Sequence, residues 1–217
     1  MKPTRTRVMW LPAHPSSGWA SMLRHWRELD RVFRAMRPES IEIVCPLGSP
    51  PEGAVARGRF RRAWEKYVAY PLRLGLAGGA DVVHVLDHSF AHLLRFVPRG
   101  ARKIVTVHDL VPLEDRTLTP SQLGRFRRTV TWLNHADLLL AVSEATVRSL
   151  RKFLTAKPRI AVLPMGVNAA AFAMPRALPA SIALPAVPRL LSIGSVLPRK
   201  NLALLPELLE LAIRGAG

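Results

Sequence analysis

The chain has 217 residues, of which 49% are hydrophobic and 22% charged, and its formal net charge is +17. This composition excludes a mainly disordered protein, and the single Cys45 excludes an internal disulfide and a cysteine-based zinc site. No apolar run is long enough for a membrane span or a signal peptide, so we expect a cytoplasmic protein. The charge favours an anionic partner: nucleic acid, acidic lipid or a phosphorylated substrate.

Strand-like apolar runs alternate with helical segments through most of the chain. Strands are predicted at 7–12, 40–45, 81–86, 103–107, 137–142 and 159–164. Helices are predicted at 22–36, at 55–76 with a break near Pro71, at 89–96, at 120–135, and from the Ser143 cap through residue 154. This alternation favours an α/β fold whose doubly wound parallel sheet is covered by helices on both faces.

The composition changes after Gly166. An Ala/Pro-rich stretch with few charges is followed by a predicted strand at 189–194, a turn and a helix at 201–214. We expect a first domain over residues 1–174, a linker over 175–188, and the first βα unit of an incomplete second domain over 189–217. One strand and one helix are too little to bury a doubly wound core, so we expect a truncated chain.

Two clusters of basic residues stand out. In the 22–36 helix, Arg24, Arg27, Arg31 and Arg34 share one face, opposite an apolar face that contains Trp26. The second cluster interleaves cations with aromatic side chains: Arg57, Arg59, Arg61, Arg62 and Lys66 with Phe60, Trp64, Tyr67 and Tyr70. Each cluster can be the solvated face of a helix that packs on the core. For the second cluster the alternative is that it lies on an anionic membrane surface.

Polar residues follow four of the predicted strands. They are the segment from His14 to Gly18 after the first strand, Asp87 and His88 after the third, His108 and Asp109 after the fourth, and Ser143 and Glu144 after the fifth. Open α/β sheets bind ligands beyond the carboxyl ends of their strands, so these residues predict one functional crevice. The seven histidines show no metal-binding pattern, and we expect no metal.

The segment from Gly194 to Asn201 (GSVLPRKN) places two adjacent cations, Arg199 and Lys200, in a turn between a predicted strand and a helix. Helix amino ends carry partial positive charge and free N–H groups. The segment is therefore either a phosphate site or a solvated turn.

Four stretches in order give a more specific indication: DVVHVLDHS (81–89), KIVTVHDLVPL (103–113), ADLLLAVSEATVRSL with RIAVLPMGVNAAAF (136–150 and 159–172), and LLSIGSVLPRKNLALLPELL (190–209). Together they resemble the retaining family-4 glycosyltransferases of the GT-B fold. The resemblance implies two Rossmann-like domains, an acceptor domain and a donor domain. It implies transfer of a hexosyl or mannosyl group from a nucleotide-sugar to a hydroxyl of a glycan or lipid-linked saccharide, with retained configuration and no cofactor.

The resemblance also implies roles for individual residues. His108 would bind the transferred sugar, with Asp109 orienting its imidazole. Lys200 and Arg199 would bind the donor diphosphate beside Gly194 and Ser195, the latter where related enzymes often have arginine. Gly18 would lie close to donor phosphate or acceptor. The acidic pair that the family uses for the donor is not found after residue 200, so we expect this chain to be impaired or inactive.

Two other classes of protein remain open at this point. One is a basic nucleic-acid-binding module, whose binding would fall steeply with salt. The arginines of this chain are dispersed and no RNA-binding motif accompanies them, so we expect that it binds no specific nucleic acid. The other is a non-catalytic protein built on the same half-fold, which would bind peripherally to the inner face of an anionic membrane.

Overall fold

The computed structural model of the chain describes residues 5–36, 38–52, 58–114, 118–167, 169, 173, 192 and 200–215. The chain divides into two compact units, residues 1–165 and 166–217, and each is described by itself. The predicted linker at 175–188 and most of the predicted strand at 189–194 lie outside the described residues.

A six-stranded, fully parallel sheet forms the centre of the first unit. Its strands are β1 (Thr6–Leu11), β2 (Ile41–Val44), β3 (Val82–Val85), β4 (Arg102–Val107), β5 (Leu138–Ala141) and β6 (Arg159–Val162). Their order across the sheet is β2-β1-β3-β4-β5-β6. The prediction of a Rossmann-like, doubly wound sheet is confirmed, and the order reverses between β1 and β3, which marks the switch point of the sheet.

Helices connect the strands of the first unit. The α-helices are α1 (Ala20–Met36), α2 (Arg59–Trp64), α3 (Tyr70–Leu76), α4 (Pro120–Thr131) and α5 (Glu144–Phe153). Short 3₁₀ helices cover Pro15–Ser17, His88–Phe96, Val111–Leu113 and Trp132–His135. Helix α4 begins with the expected capping box, in which Thr119 and Gln122 satisfy each other's backbone N–H groups.

The prediction of a helical break near Pro71 is wrong. A π-helical turn at Glu65–Ala69 joins α2 to α3, so the chain is helical from residue 59 to residue 76, a segment we call the 59–76 helix. A proline inside an α-helix lacks an N–H and clashes with the carbonyl four residues earlier. The wider turn, in which the Tyr70 N–H bonds to the Glu65 carbonyl, precedes Pro71 and accommodates its ring.

The two faces of the sheet bury different helices. Neighbouring residues of a strand point to opposite faces. Trp10 of β1 packs with Leu23 and Trp26 of α1, whereas Leu11 packs in the larger cluster that contains Tyr70 and Leu74 of the 59–76 helix. Thus α1 and the 59–76 helix cover β1 from opposite sides, and each fixes a different wall at the carboxyl end of that strand.

The described part of the second unit is mainly helical. A 3₁₀ turn at Leu202–Leu204 leads into α6 (Leu205–Gly215). These two elements together cover the position of the helix predicted at 201–214, so that prediction is confirmed. Across the described ranges of the whole chain, we find no helix with the length and apolar character that crossing a bilayer requires.

Candidate functional site

The candidate site lies at the carboxyl ends of the strands, where the strand order reverses between β1 and β3. The segment after β1 contains His14, which is buried beside the aromatic ring of Tyr70 at a centroid distance of 5.9 Å. Asp87 follows β3, and His108 directly follows β4. Because parallel strands end at one edge of the sheet, the fold brings these predicted residues to the same side.

His108 is half-buried and held in a defined orientation. Its Nε2–H donates a hydrogen bond of 3.0 Å to the carbonyl of Leu86, and its ring meets the ring of His25 edge to face at a centroid distance of 5.3 Å. In the neutral imidazole this bond places the proton on Nε2 and leaves the Nδ1 lone pair as an acceptor. Among the described residues, no group hydrogen-bonds to that Nδ1.

Leu86, rather than Asp109, orients the His108 ring. The Asp109 side chain is exposed, and its Oδ1 accepts a hydrogen bond of 3.3 Å from the Val111 N–H. This contact closes a short Asx-type turn after β4. Asp109 therefore shapes the rim of the site and contributes negative charge near it.

His25 is a site residue that the sequence interpretation missed. Burial, assisted by the neighbouring His108, lowers its pKa to about 4, so the ring is neutral at physiological pH. It lies in α1 at helical spacing from Met22 and Leu29, which pack against the core. That spacing was the available signal, since a histidine in such a stripe faces inward.

Asp87 and His88 are both buried at the end of β3. Asp87 Oδ1 accepts a 2.9 Å hydrogen bond from the Ser89 N–H and caps the 3₁₀ helix that follows. His88 Nδ1 lies 3.6 Å from Asp87 Oδ1 without a hydrogen bond to any described group. Burial lowers the pKa of His88, against the opposing effect of Asp87 and Asp109, so the ring stays neutral in the wall of the crevice.

Ser143 performs the predicted capping role. Its Oγ accepts a 3.2 Å hydrogen bond from the Thr146 N–H, and the Thr146 hydroxyl donates to the carbonyl of His108 at 3.3 Å. The pair thus ties the start of α5 to the end of β4, and Glu144 is exposed in the first helical turn. The Ser143 hydroxyl is committed to this contact, which positions the backbone of His108.

Gly18 ends the 3₁₀ turn after β1 with φ at 75°, a left-handed conformation that favours glycine. The same turn begins at His14, whose Nδ1 accepts a hydrogen bond of 3.2 Å from the Ser16 N–H. His14 Nε2 lies 3.3 Å from Glu65 Oε2, and burial lowers the pKa of the imidazole although Glu65 raises it. Residues 14–18, which we call the post-β1 segment, therefore contact the 59–76 helix.

A cavity of about 220 Å³ opens between the post-β1 segment and the 59–76 helix. Its lining combines three cations with hydroxyl and aromatic groups: Arg59, Arg62, Lys66, His14, Ser16, Ser17, Trp19, Ala63, Tyr67 and Phe90. Sequence interpretation had placed the three cations in a basic cluster without assigning them to a pocket, because their common wall depends on tertiary packing.

The predicted donor-side residues belong to the second unit. Lys200 is exposed and precedes Asn201, which has φ at 47° and begins the turn into α6. Gly194, Ser195 and Arg199 lie outside the described residues. As for metals, the described ranges contain no group of three or more His, Cys, Asp or Glu side chains suited to hold an ion.

A doubly wound, six-stranded parallel sheet covered by helices is the architecture of a Rossmann-like α/β domain, of the kind that forms the N-terminal half of GT-B glycosyltransferases. Comparison with family models agrees, because the model described as Glycosyltransferase Family 4 matches residues 22–171, more than two thirds of the chain. The chain belongs to Glycosyltransferase Family 4. No curated protein matches it significantly.

Proposed function

We propose that this glycosyltransferase moves a hexosyl group, of the mannosyl type, from a nucleotide-sugar to a hydroxyl of a glycan or lipid-linked saccharide, with retained configuration. The observation that carries the proposal is the orientation of His108. Its Nε2–H is bound to the Leu86 carbonyl at 3.0 Å, so in the neutral ring Nδ1 is an acceptor at the carboxyl edge of the sheet of a family-4 domain.

His108 acts in this proposal by positioning. Its Nδ1 accepts a hydrogen bond from a hydroxyl of the transferred sugar and so holds the anomeric carbon at the acceptor hydroxyl. Alignment of two bound reactants is a large source of rate enhancement. The neighbouring His25, which is neutral because burial lowers its pKa to about 4, adds no positive charge that would compete for that hydroxyl.

The leaving group presents the second chemical problem. The diphosphate gains negative charge as the sugar departs, and pre-positioned cations stabilise that charge. We assign this role to Lys200 and Arg199, with Gly194 and Ser195 beside them. Side-chain cations would then perform the work without a metal ion or an organic cofactor.

The test uses a panel of nucleotide-sugars and saccharide acceptors, with the anomeric configuration of the product read by NMR. We expect His108→Ala to lower kcat/KM by roughly 10²–10³-fold, the range seen when one transition-state hydrogen bond is lost. His135→Ala is the matched control, because His135 is exposed and precedes β5 at the opposite end of the sheet. It should change kcat/KM less than about twofold.

Equal losses in the two variants would contradict a role for His108, and a product of inverted configuration would contradict retention. If no nucleotide-sugar is bound in saturation-transfer NMR or consumed, the proposed reaction is wrong. The expectation that the 217-residue chain turns over poorly stays a prediction and is measured in the same assay.

A second proposal concerns where the protein works. Five large apolar side chains of the 59–76 helix are mostly exposed: Phe60 at 84%, Trp64 at 59%, Tyr67 at 57%, Leu72 at 62% and Leu76 at 87%. A helix that presents aromatic and aliphatic groups among arginines binds the interface of anionic bilayers. We therefore propose peripheral contact of this helix with the inner, cytoplasmic face of a membrane.

A further inference from the structure

The cavity beside the 59–76 helix carries three cations that form no ion pair with the residues that the structure describes. Arg59, Arg62 and Lys66 all line it. In the described part of the chain, none of the three forms an ion pair or donates a side-chain hydrogen bond. Three cations at one cavity repel one another, so a bound anion would reduce their mutual repulsion.

Lys66 is the most constrained of the three. It is half-buried, and its Nζ lies 4.6 Å from the centroid of the Phe90 ring. Burial lowers the pKa of its ammonium group, although Asp87 acts in the opposite direction. Asp87 nevertheless forms no ion pair with Lys66, and its Oδ1 accepts a hydrogen bond from the Ser89 N–H. The ammonium group is thus held in place and open to an external acceptor.

The remaining lining indicates what accompanies the anion. Ser17 supplies a hydroxyl group, Ser16 a second one that already bonds to His14 Nδ1 at 2.7 Å, and Trp19 is 45% exposed, so polar and aromatic surfaces lie beside the cations. Aromatic faces and hydroxyls are suited to a sugar ring. The volume of about 220 Å³ is below the usual 300–1,000 Å³ of small-molecule sites, which favours a phosphate with one ring over a longer saccharide.

The cavity lies on the same edge of the sheet as His108. Its lining includes His14 after β1 and Phe90 after β3, and His108 directly follows β4. A molecule anchored at Lys66 would therefore lie on the side of the sheet where the proposed transfer takes place, within the first unit of the chain.

We propose that this cavity binds the phosphate of a phosphorylated acceptor, with Lys66, Arg62 and Arg59 as its ligands and Trp19 against the attached ring. The inference rests on the proposed sugar transfer, since it names the class of acceptor. The phosphate monoester can belong to a soluble sugar phosphate or to a lipid headgroup, and the two arms of the experiment separate these sources.

In the first arm, calorimetry measures binding of glucose 6-phosphate and of glucose to the full chain. We expect glucose 6-phosphate to bind at least tenfold more tightly than glucose. Lys66→Met should weaken it by roughly 10-fold to 100-fold, as expected for loss of a charge-assisted hydrogen bond. Arg62→Gln should weaken it several-fold, whereas the adjacent, exposed Arg61→Gln, which does not line the cavity, should change it less than twofold.

In the second arm, sedimentation measures binding to phosphatidylcholine vesicles with and without phosphatidic acid. Vesicle binding that requires phosphatidic acid and is lost in Lys66→Met, without binding of glucose 6-phosphate, would place the phosphate on a lipid and keep the site. Failure to bind either probe in preference to glucose or neutral vesicles would overturn the inference.

Equal weakening by Arg62→Gln and Arg61→Gln would also overturn it, because it would indicate diffuse attraction to a basic surface. Both arginines are exposed, so these variants keep the test decisive if Lys66→Met unfolds the chain. Neither arm contains a sugar donor. A failed phosphate titration with intact transfer to a neutral acceptor would thus reject this inference alone, and the reverse pattern would reject the proposed transfer alone.

Discussion

Helix α1 and the 59–76 helix are both rich in arginine and both cover β1, yet their charges are used differently. In α1, Arg31 pairs with Glu28 at 2.9 Å and Arg34 with Asp30 at 2.7 Å, while Arg27 donates to the Pro51 carbonyl at 2.8 Å. In the 59–76 helix, the arginines that precede the π-turn form no ion pair with any described residue.

The difference lies in the acidic residues of each helix. Helix α1 carries carboxylates three or four positions before its arginines, where they meet on the helix surface. The acid of the 59–76 helix, Glu65, lies 3.3 Å from His14 and is turned toward the post-β1 segment. A basic helix is therefore a candidate binding surface when its own carboxylates are directed elsewhere, and a solvated face when they are not.

The largest expected effect separates the two helices by stability. Trp26 of α1 is 1% exposed, whereas Trp64 of the 59–76 helix is 59% exposed. We expect Trp26→Ala to lower the free energy of unfolding by about 3–5 kcal/mol, since it removes a fully buried ring. Trp64→Ala should change it by less than about 0.5 kcal/mol. Urea denaturation followed by circular dichroism measures both, and similar losses would show that the 59–76 helix is covered in solution.

Acid should destabilise the fold through His92, which is hydrogen-bonded to the 59–76 helix. His92 Nε2–H donates a 3.1 Å hydrogen bond to the Lys66 carbonyl, and burial lowers the pKa of His92 to about 4. Below pH 6.5 the unfolded imidazole takes up a proton while the folded one stays neutral. This residue therefore lowers the free energy of unfolding as pH falls from 6.5 toward 4, by up to about 1.4 kcal/mol per pH unit.

Urea titrations at pH 7, 6 and 5 measure that dependence. His92→Gln keeps a donor for the Lys66 carbonyl but cannot titrate, so its stability should fall less steeply with acid than that of the natural chain. Identical pH dependence in the two proteins would mean that His92 is already solvated in the folded state.

The smallest effect concerns the proposed membrane contact. We expect the double variant Phe60→Ser/Trp64→Ser to bind anionic vesicles about tenfold more weakly in flotation, or about 1.4 kcal/mol, because two apolar side chains no longer enter the interface. The control is Val32→Ser/Met36→Ser, which replaces exposed apolar side chains of α1 (43% and 72% exposed). Equal loss in both pairs would remove the distinction between the helices.

Much of the fold was predictable because its signals are local. Apolar runs rich in β-branched residues placed the six strands to within two residues at each end. The Thr119 capping box and the Ser143 cap were predictable because both depend on contacts between neighbours in the sequence. The predicted membership in a family-4 glycosyltransferase class agrees with the family match.

The site was less predictable because its contacts are tertiary. The edge-to-face packing of His25 on His108 joins α1 to the end of β4, and no sequence spacing reveals it. The lining of the cavity by Lys66 depends on the rotation of a helix that sequence interpretation had divided at Pro71. The roles of Gly194, Ser195 and Arg199 remain predictions, since these residues lie outside the described ranges.

The π-turn at Glu65–Ala69 separates two segments of the 59–76 helix that have different surroundings. Its i→i+5 hydrogen bonding is wider than that of an α-helix, and it changes the angular phase between the segments on either side. Ahead of it the side chains of α2 are exposed, and beyond it Tyr70 and Leu74 are buried in the core. The change of phase thus lets one continuous helix anchor in the core at one end and offer a surface to solvent at the other.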